Sequence, residues 1–466
     1  MTEPLRAARD ALAGTPAWLV GGVLRDRALG RDTDDIDVVV EGDVRAAARA
    51  IARAAGGVAF ALSDEFGAWR VVAPRHAWQV DLTPLRGGSL EADLALRDFT
   101  VNAMAEPLAG GELVDPFGGG DDVAARRLRM VSEDAFDEDP LRTLRVARLA
   151  CELGLEVDAA TADAARARAA GIARVSPERV FAELKRIVAA DGVLDGLALM
   201  ERLGLVRMVL PELAALRGVE QSAYHHLDVH DHTMEVLGAV VELQRDPAPA
   251  LGEHAAAATA LLAKPIADEL TRGDALRLGA LLHDVAKPRT RAVTAEGRVT
   301  FIGHDREGAA MAREILGRLR ASERLRSHVA ALALNHLRVG FLVHERPLSR
   351  RRIHQYLVAT EPVEADVTLL SVADRLATRG RNADDAIARH LQLARELLGE
   401  ALARRAAGSR PPLLRGDELA AELGIAPGRQ LGQLLAELEE ARFAGEVATR
   451  EEAIAHARAV LAAQRT

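Results

Sequence analysis

Cysteine occurs once in this 466-residue chain, at Cys151, so no disulfide can form within it and the thiol reads as a small buried apolar group. Lysine is nearly missing, found only at Lys185, Lys264 and Lys287, which leaves arginine to carry almost all the positive charge. That bias reads as genomic composition, although arginine's planar fork suits phosphate recognition. Long hydrophobic runs are absent too: none approaches the roughly 18 to 20 residues needed to cross a bilayer. Met1-Thr2-Glu3-Pro4 lacks the charged-then-apolar pattern of a secretory leader, so the expectation is a cytoplasmic protein. An excess of positive charge is also lacking. The formal charge of −9 excludes a surface that binds nucleic acid everywhere, so any RNA contact must come from a local patch. Candidate patches are Arg126, Arg127 and Arg129, then Arg179, Lys185 and Arg186, then Arg350 to Arg352. What is plentiful is core-forming material: 49% hydrophobic with 28% charged residues, in a chain long enough for about three domains.

The most informative segment runs from Trp18 to Val40. Asp35 and Asp37 stand two apart at the entry to an apolar run, so on a strand both carboxylates share a face. Oxygen ligands that close together can hold Mg²⁺ against a nucleotide's phosphates. Ahead of them Gly21-Gly22 breaks a short strand where a helix through Leu24 and Leu29 begins; glycines there let backbone N–H groups approach a triphosphate. Further strands are expected at Ala17 to Val20, Ile36 to Val40, Val58 to Leu62, Trp69 to Val72 and Trp78 to Leu82. Asp81, in the last of these, reads either as a third acidic group beside the metal or as a strand-terminal aspartate. From about Asp134 the pattern turns to alanine- and leucine-rich helical periodicity and stays there.

In order, Gly21-Gly22, Arg25-Asp26, Leu29-Gly30 and Asp35-x-Asp37 resemble the head of class II tRNA nucleotidyltransferases, the CCA-adding enzymes, and of the related bacterial poly(A) polymerases. The resemblance continues through Arg97-Asp98-Phe99-Thr100-Val101-Asn102, the segment that in the family binds ribose and couples head to neck. It extends through Asp115-Pro116-Phe117-Gly118-Gly119, Glu138-Asp139-Pro140-Leu141-Arg142 and Val175-Ser176-Pro177-Glu178-Arg179. It implies metal binding by catalytic Asp35 and Asp37, and nucleotide binding by Gly21, Gly22, Arg25, Arg97, Asp98, Asn102, Asp139, Arg142, Arg145 and Arg148. Asp139 and Arg142 lie three apart on the helix expected there, hence on one face, and in the family the matching pair selects CTP and ATP. Two departures stand out. Leu96 precedes Arg97 where relatives often have a second arginine, and the segment from Asp81 to Arg97 is short where complete CCA-adding relatives have a longer loop. The second departure favours a CC-adding enzyme as a variant of the same reading.

A second constellation follows: His232, then His283-Asp284, then Asp374. Histidine and carboxylate suit divalent transition metals, and an adjacent His-Asp pair supplies two ligands from one turn. This order resembles the HD phosphohydrolase superfamily, in which His304 and His336 stand where some members have extra ligands. Such a site would hydrolyse a phosphomonoester or a 2′,3′-cyclic phosphate. His225, His226 and His230 read as non-ligands.

The expected architecture is an α/β nucleotidyltransferase head with a small mixed sheet at 1–130. An all-α neck and body follows at 131–220 for nucleobase and RNA binding, then an all-α HD domain at 221–405 and a helical, tRNA-contacting tail at 406–466. The expected activity is template-independent addition of CMP, and of AMP in the full CCA-adding case, to the tRNA 3′ end from CTP and ATP with Mg²⁺. Poly(A) polymerase is the nearest alternative. An HD phosphohydrolase with a non-catalytic, nucleotide-binding head is the alternative of another class.

Overall fold

Three consecutive valines after Asp37 favour extended backbone that can be buried on both faces, and they form the strand around which the amino-terminal sheet is built. The computed structural model describes residues 3–33, 35–63, 67–221, 226–379, 383–408 and 411–463, and of Asp35 the backbone alone. The head contains strand β1 (Ala17–Val20), helix α1 (Gly22–Ala28), β2 (Asp35–Val40), α2 (Val44–Ala55), β3 (Val58–Ser63) and β4 (Ala68–Val72). β5 (Gln79–Pro84), α3 (Leu90–Ala95) and β6 (Ala105–Pro107) complete it. The strands lie in the order β3-β4-β5-β2-β1-β6; β2 is parallel to β5 and the other neighbours are antiparallel. The mixed sheet expected from the sequence is therefore present, with its strands within a residue or two of the expected bounds.

Helix α2 shows why one face of this sheet is closed. Val44, Ala47, Ala48, Ile51 and Ala52 recur at helical spacing and are buried, so they form one apolar stripe against the strands. Asp43 caps the helix by accepting from the Ala46 N–H at 2.9 Å, and Gly56 ends it at φ 64°. Val71, Val80 and Leu82 are fully buried on the α2 side. Pleating sends Asp37, Asp81 and Arg70 to the opposite face, where they lie in register across β2, β5 and β4.

After the head, a helical turn at Ala135–Glu138 precedes α4 (Leu141–Leu153), which packs on α5 (Pro177–Ala189). Contacts divide the chain into two units, Met1–Val209 and Leu210–Thr466. The second unit holds α6 (Val229–Arg245), α7 (Arg272–Leu282), α8 (His304–Arg318), α9 (Glu323–Asn335), α10 (Glu364–Ala377) and α11 (Ala383–Ala407). There α6 packs on α7 and α10, and α9 packs on α7 and α8. Its last three helices, α12 (Gly416–Leu423), α13 (Arg429–Ala444) and α14 (Arg450–Ala463), share a small core around Leu419, Leu434, Leu438 and Leu461. No described helix is long and apolar enough to cross a membrane.

Candidate active site and metal centre

A cavity of about 640 Å³ opens on the Asp37 face of the head sheet. Gly21 sits at its floor with φ 76°, and a Cβ there would lie 3.0 Å from Asp37 Oδ2 and 3.2 Å from Arg97 Nη1. Only glycine permits that approach, so backbone, carboxylate and guanidinium converge on one point. At Gly22 a Cβ would meet Arg25 Nη2 at 3.0 Å. Arg25 is buried; its Nη1 donates to Asn102 Oδ1 at 2.6 Å and its Nε to Asp26 Oδ1 at 2.9 Å. Asn102 in turn donates to Asp98 Oδ1 at 3.0 Å, and Asp98 Oδ2 pairs with Arg145 on α4 at 3.0 Å. Burial alone would raise the Asp98 pKa, but the Arg145 charge, the Asn102 amide and the Phe99 N–H together hold it below the usual carboxylate range. A continuous polar chain thus joins the glycine turn to the first neck helix.

Arg97 pairs with buried Asp93 at 3.4 Å, and Asp93 also holds Arg86 at 3.0 Å. From α4, Arg142 Nη2 donates to the Leu96 carbonyl at 2.8 Å, while Arg148 is clamped by Glu183 and Glu152. Gly21, Gly22, Arg25, Asp37, Arg97, Asp98, Asn102, Arg142, Arg145 and Arg148 all line this single cavity. Asp35 opens β2 opposite Gln79; its side chain lies outside the described residues.

In the second unit His232 comes from α6, His283 and Asp284 from the end of α7, and Asp374 from α10. His304 opens α8 and His336 follows α9. The Nδ1 atoms of His283, His304 and His336 each face a backbone carbonyl three residues back, at 2.8, 2.6 and 2.7 Å. That orients each ring and turns its Nε2 inward. His304 and His336 Nε2 consequently face each other at 3.3 Å, with Asp284 Oδ1 at 3.4 and 3.7 Å from them. His232 Nε2 lies 3.1 Å from Asp374 Oδ1, and His283 Nε2 lies 3.2 Å from Asp284 Oδ2. Among the described residues, buried His283 Nε2 and Asp284 Oδ1 make these close contacts without a well-formed hydrogen bond. Burial, with the neighbouring His283 charge, pushes His336 down to about 4, so its ring is neutral. For Asp284, burial raises the pKa, yet the His283 and Lys287 charges bring it well below the ordinary value. Inward-turned imidazole nitrogens among carboxylate oxygens are a donor set that fits a divalent cation.

Three family models match in series: the poly A polymerase head domain over residues 17–129, the probable RNA and SrmB-binding site of polymerase A over 154–216, and the HD domain over 229–379. The A-adding tRNA nucleotidyltransferase of Deinococcus radiodurans is 39% identical over 443 residues, covering 94% of each chain. The CC-adding tRNA nucleotidyltransferase of Thermus thermophilus is 35% identical over 94% of this chain and 92% of its own. This chain belongs to the class II tRNA nucleotidyltransferase family. The solved structure of the Thermotoga maritima CCA-adding enzyme complexed with tRNA has the same fold, with a TM-score of 0.62 at 19% identity over 98% of this chain and 94% of that one.

Against the family pattern, the Asp139 and Arg142 pair needs correction. They do not share a helix face, because Asp139 lies between two helices at φ −139°, ψ 99°. Pro140 excludes helical backbone at the residue before it. Asp139 Oδ2 accepts from Arg179 at 2.7 Å, and Asp139 does not line the cavity that Arg142 lines. Asp81 is mid-strand rather than terminal; it shares the Asp37 face, but Arg70 holds it by two bonds of 2.6 and 2.7 Å. The segment before Arg97 is no open loop: Ser89 caps α3 at 3.2 Å, and Asp93 ties both ends. The end of β3 and the start of β4 supply cavity wall that the sequence reading missed, through Leu62, Ser63 and Ala68. Thr33, Thr83 and Arg86 were missed as well, and no local spacing marks them. Of the histidines read as non-ligands, His230 lies against Asp231 at 2.9 Å and Arg217 at 3.3 Å, and His226 lies 3.8 Å from Glu235. His225 lies outside the described residues.

Proposed function

We propose that this enzyme extends the 3′ end of tRNA without a template, transferring CMP from CTP or AMP from ATP. The observation that carries the reading is the cavity in which Asp37, the glycine turn, Arg97 and three arginines of α4 meet around one volume. The triphosphate would lie along the Gly21-Gly22 backbone and be neutralised by Arg97. Arg25 and Asn102 hold Asp98 in place, and Asp98 fixes Arg145 at the mouth of the neck. Asp37, with Asp35, would hold Mg²⁺, which neutralises phosphate charge and makes the RNA 3′-hydroxyl a better nucleophile. The approach of Gly21 to Asp37 leaves the space this requires, since a side chain there would fill it. Arg142 would present donors to the base, with Asp139 joining it only if Arg179 lets go.

Two relatives aligned over 94% of the chain are named for part of CCA addition, one as A-adding and the other as CC-adding. Together with the short, tied segment before Arg97, this supports a one-part enzyme over a complete CCA-adding one, and tRNA over poly(A) as product. We assign 1–130 to the head, 131–220 to the neck and body, 221–405 to the HD domain and 406–466 to a tRNA-contacting tail. His232, His283, Asp284 and Asp374, with His304 and His336, would hold divalent transition metal and hydrolyse a phosphate ester at damaged RNA ends. Substrates of this kind, tRNA and nucleoside triphosphates, support the reading of a cytoplasmic enzyme.

Purified protein offered tRNAs ending before C74, before C75 or before A76, each with labelled CTP or ATP, is expected to use one class of end and one nucleotide. Incorporation of neither nucleotide into any of the three defeats the proposal.

A further inference from the structure

β3 is the edge of the head sheet, and its Val58, Phe60 and Leu62 are exposed by 65, 46 and 47%. Val58 and Phe60 flank Ala59, so by the pleat they occupy the same face as Asp37, while Leu62 sits where the register shifts between Ala61 and Ser63. Register makes the relation closer. Phe60 pairs with Arg70, Arg70 with Asp81, and Asp81 with Asp37, so the ring and the carboxylate stand in one row across four strands. At ~4.8 Å per strand that row is about 14 Å long, a span that a stacked strand at ~3.4 Å per nucleotide covers in about four nucleotides. Leu62, in the same stripe, lines the nucleotide cavity itself.

Beside this edge runs a line of positive charge. Arg45, Arg49 and Arg53 recur every four residues on α2, are exposed, and make no ion pair among the described residues. No acidic residue occurs in α2. Arg45 lies over the Trp69 ring at 5.6 Å, and Arg49 and Arg53 line a groove of about 580 Å³ with Gly57 and Val58. A solvated helix face would account for the arginines alone. It does not account for the exposed apolar stripe of Val58, Phe60 and Leu62 that leads to the cavity.

We propose that this edge binds the single-stranded 3′ segment of the RNA substrate, with a base stacked on Phe60 and phosphates held by Arg49 and Arg53. Sequence-tolerant strand binding uses this pairing of aromatic platform and cationic groove. The inference rests on the reading of the enzyme as an RNA nucleotidyltransferase. An unpaired strand edge also suits a second copy of this chain; the three guanidinium groups beside it favour a polyanionic strand.

The test uses full-length protein, a 3′-truncated tRNA carrying a fluorophore away from its end, and anisotropy without nucleotide from about 50 to 250 mM salt. Phe60→Ala should weaken binding about fivefold or more. Arg49→Glu with Arg53→Glu should make the slope of log Kd against log salt shallower by about two, and lysine at both positions should restore it. KM for the nucleotide it uses and kcat at saturating tRNA should stay as in the wild type, which also reports intact folding. Unchanged affinity and slope in both variants would overturn the proposal, as would a loss of self-association in sedimentation with RNA binding intact. If the variants lose RNA affinity while wild type incorporates no nucleotide, the surface stands and the transferase reading falls. If wild type incorporates and the variants bind RNA equally well, only the surface falls.

Discussion

Among single residues, Asp98 carries the most structural responsibility, because it receives Asn102 and the Phe99 N–H on one oxygen and faces Arg145 with the other. The sequence marked it only through resemblance. Nothing in the spacing of Arg97-Asp98 with Arg145 announces an ion pair across 47 residues of chain, since such pairings are set by packing. Gly21 was more legible: a Gly-Gly between a strand and a helix asks for close backbone approach, and the structure supplies the neighbours in Asp37 and Arg97. The pH dependence at Asp98 follows from its depressed pKa. The folded state keeps the carboxylate charged where the unfolded chain would protonate it, so its stabilisation is complete above the unfolded value of about 4 and is lost as pH falls through the lower folded value. Asp98→Asn should therefore destabilise the protein at pH 7 by about 1–3 kcal/mol, the worth of hydrogen bonds to a charged group. The gap between variant and wild type in urea midpoints should narrow as pH is lowered below about 4. A gap that stays constant from pH 7 to 3 would show that the charge on Asp98 is not what matters.

Elements were the most legible level in the head and less so in the neck. β-branched runs bounded by glycine marked β1 to β5 to within a residue or two, because a strand buried on one or both faces leaves a direct mark on composition. The break at Asp139-Pro140 was missed although the proline stood in plain view, since helical periodicity on either side outweighed the local rule. The alanine-rich Ala248 to Lys264 stretch forms two short helices, Ala248–Leu251 and Ala255–Leu262, joined at Gly252–His254. For α2 the energetics are simpler. Ile51 is fully buried between the helix and the sheet and does not line the cavity. Ile51→Ala should cost about 2–5 kcal/mol in unfolding free energy, by lost burial plus the cavity left behind. The folded variant should keep its wild-type KM for nucleotide. A stability change under 1 kcal/mol would mean that α2 is not packed as described.

Across the whole molecule, charge is the organising quantity. An overall −9 coexists with a cavity walled by arginines, and this works because most of those arginines are held by carboxylates that keep their guanidinium groups oriented. The second unit solves the opposite problem, gathering two carboxylates and four imidazoles with one cation, Lys287, 2.6 Å from Asp284. The sequence order of His232, His283-Asp284 and Asp374 was enough to suggest this centre. It could not show that the set divides into His232, His283 and Asp374 on one side and Asp284, His304 and His336 on the other, because that depends on how α6 to α10 pack. Such a buried cluster should stabilise the protein when filled, since metal binds the folded arrangement and not the unfolded chain. Protein stripped by a chelator and reloaded with Mn²⁺ or Ni²⁺ should melt several degrees higher and carry bound metal by elemental analysis. His283→Ala with Asp374→Ala should abolish both effects, whereas Asp37→Ala should leave them intact because its carboxylate belongs to the other unit. Equal melting of stripped and reloaded wild type, with no retained metal, would leave the facing imidazoles of His304 and His336 to be explained by protonation instead.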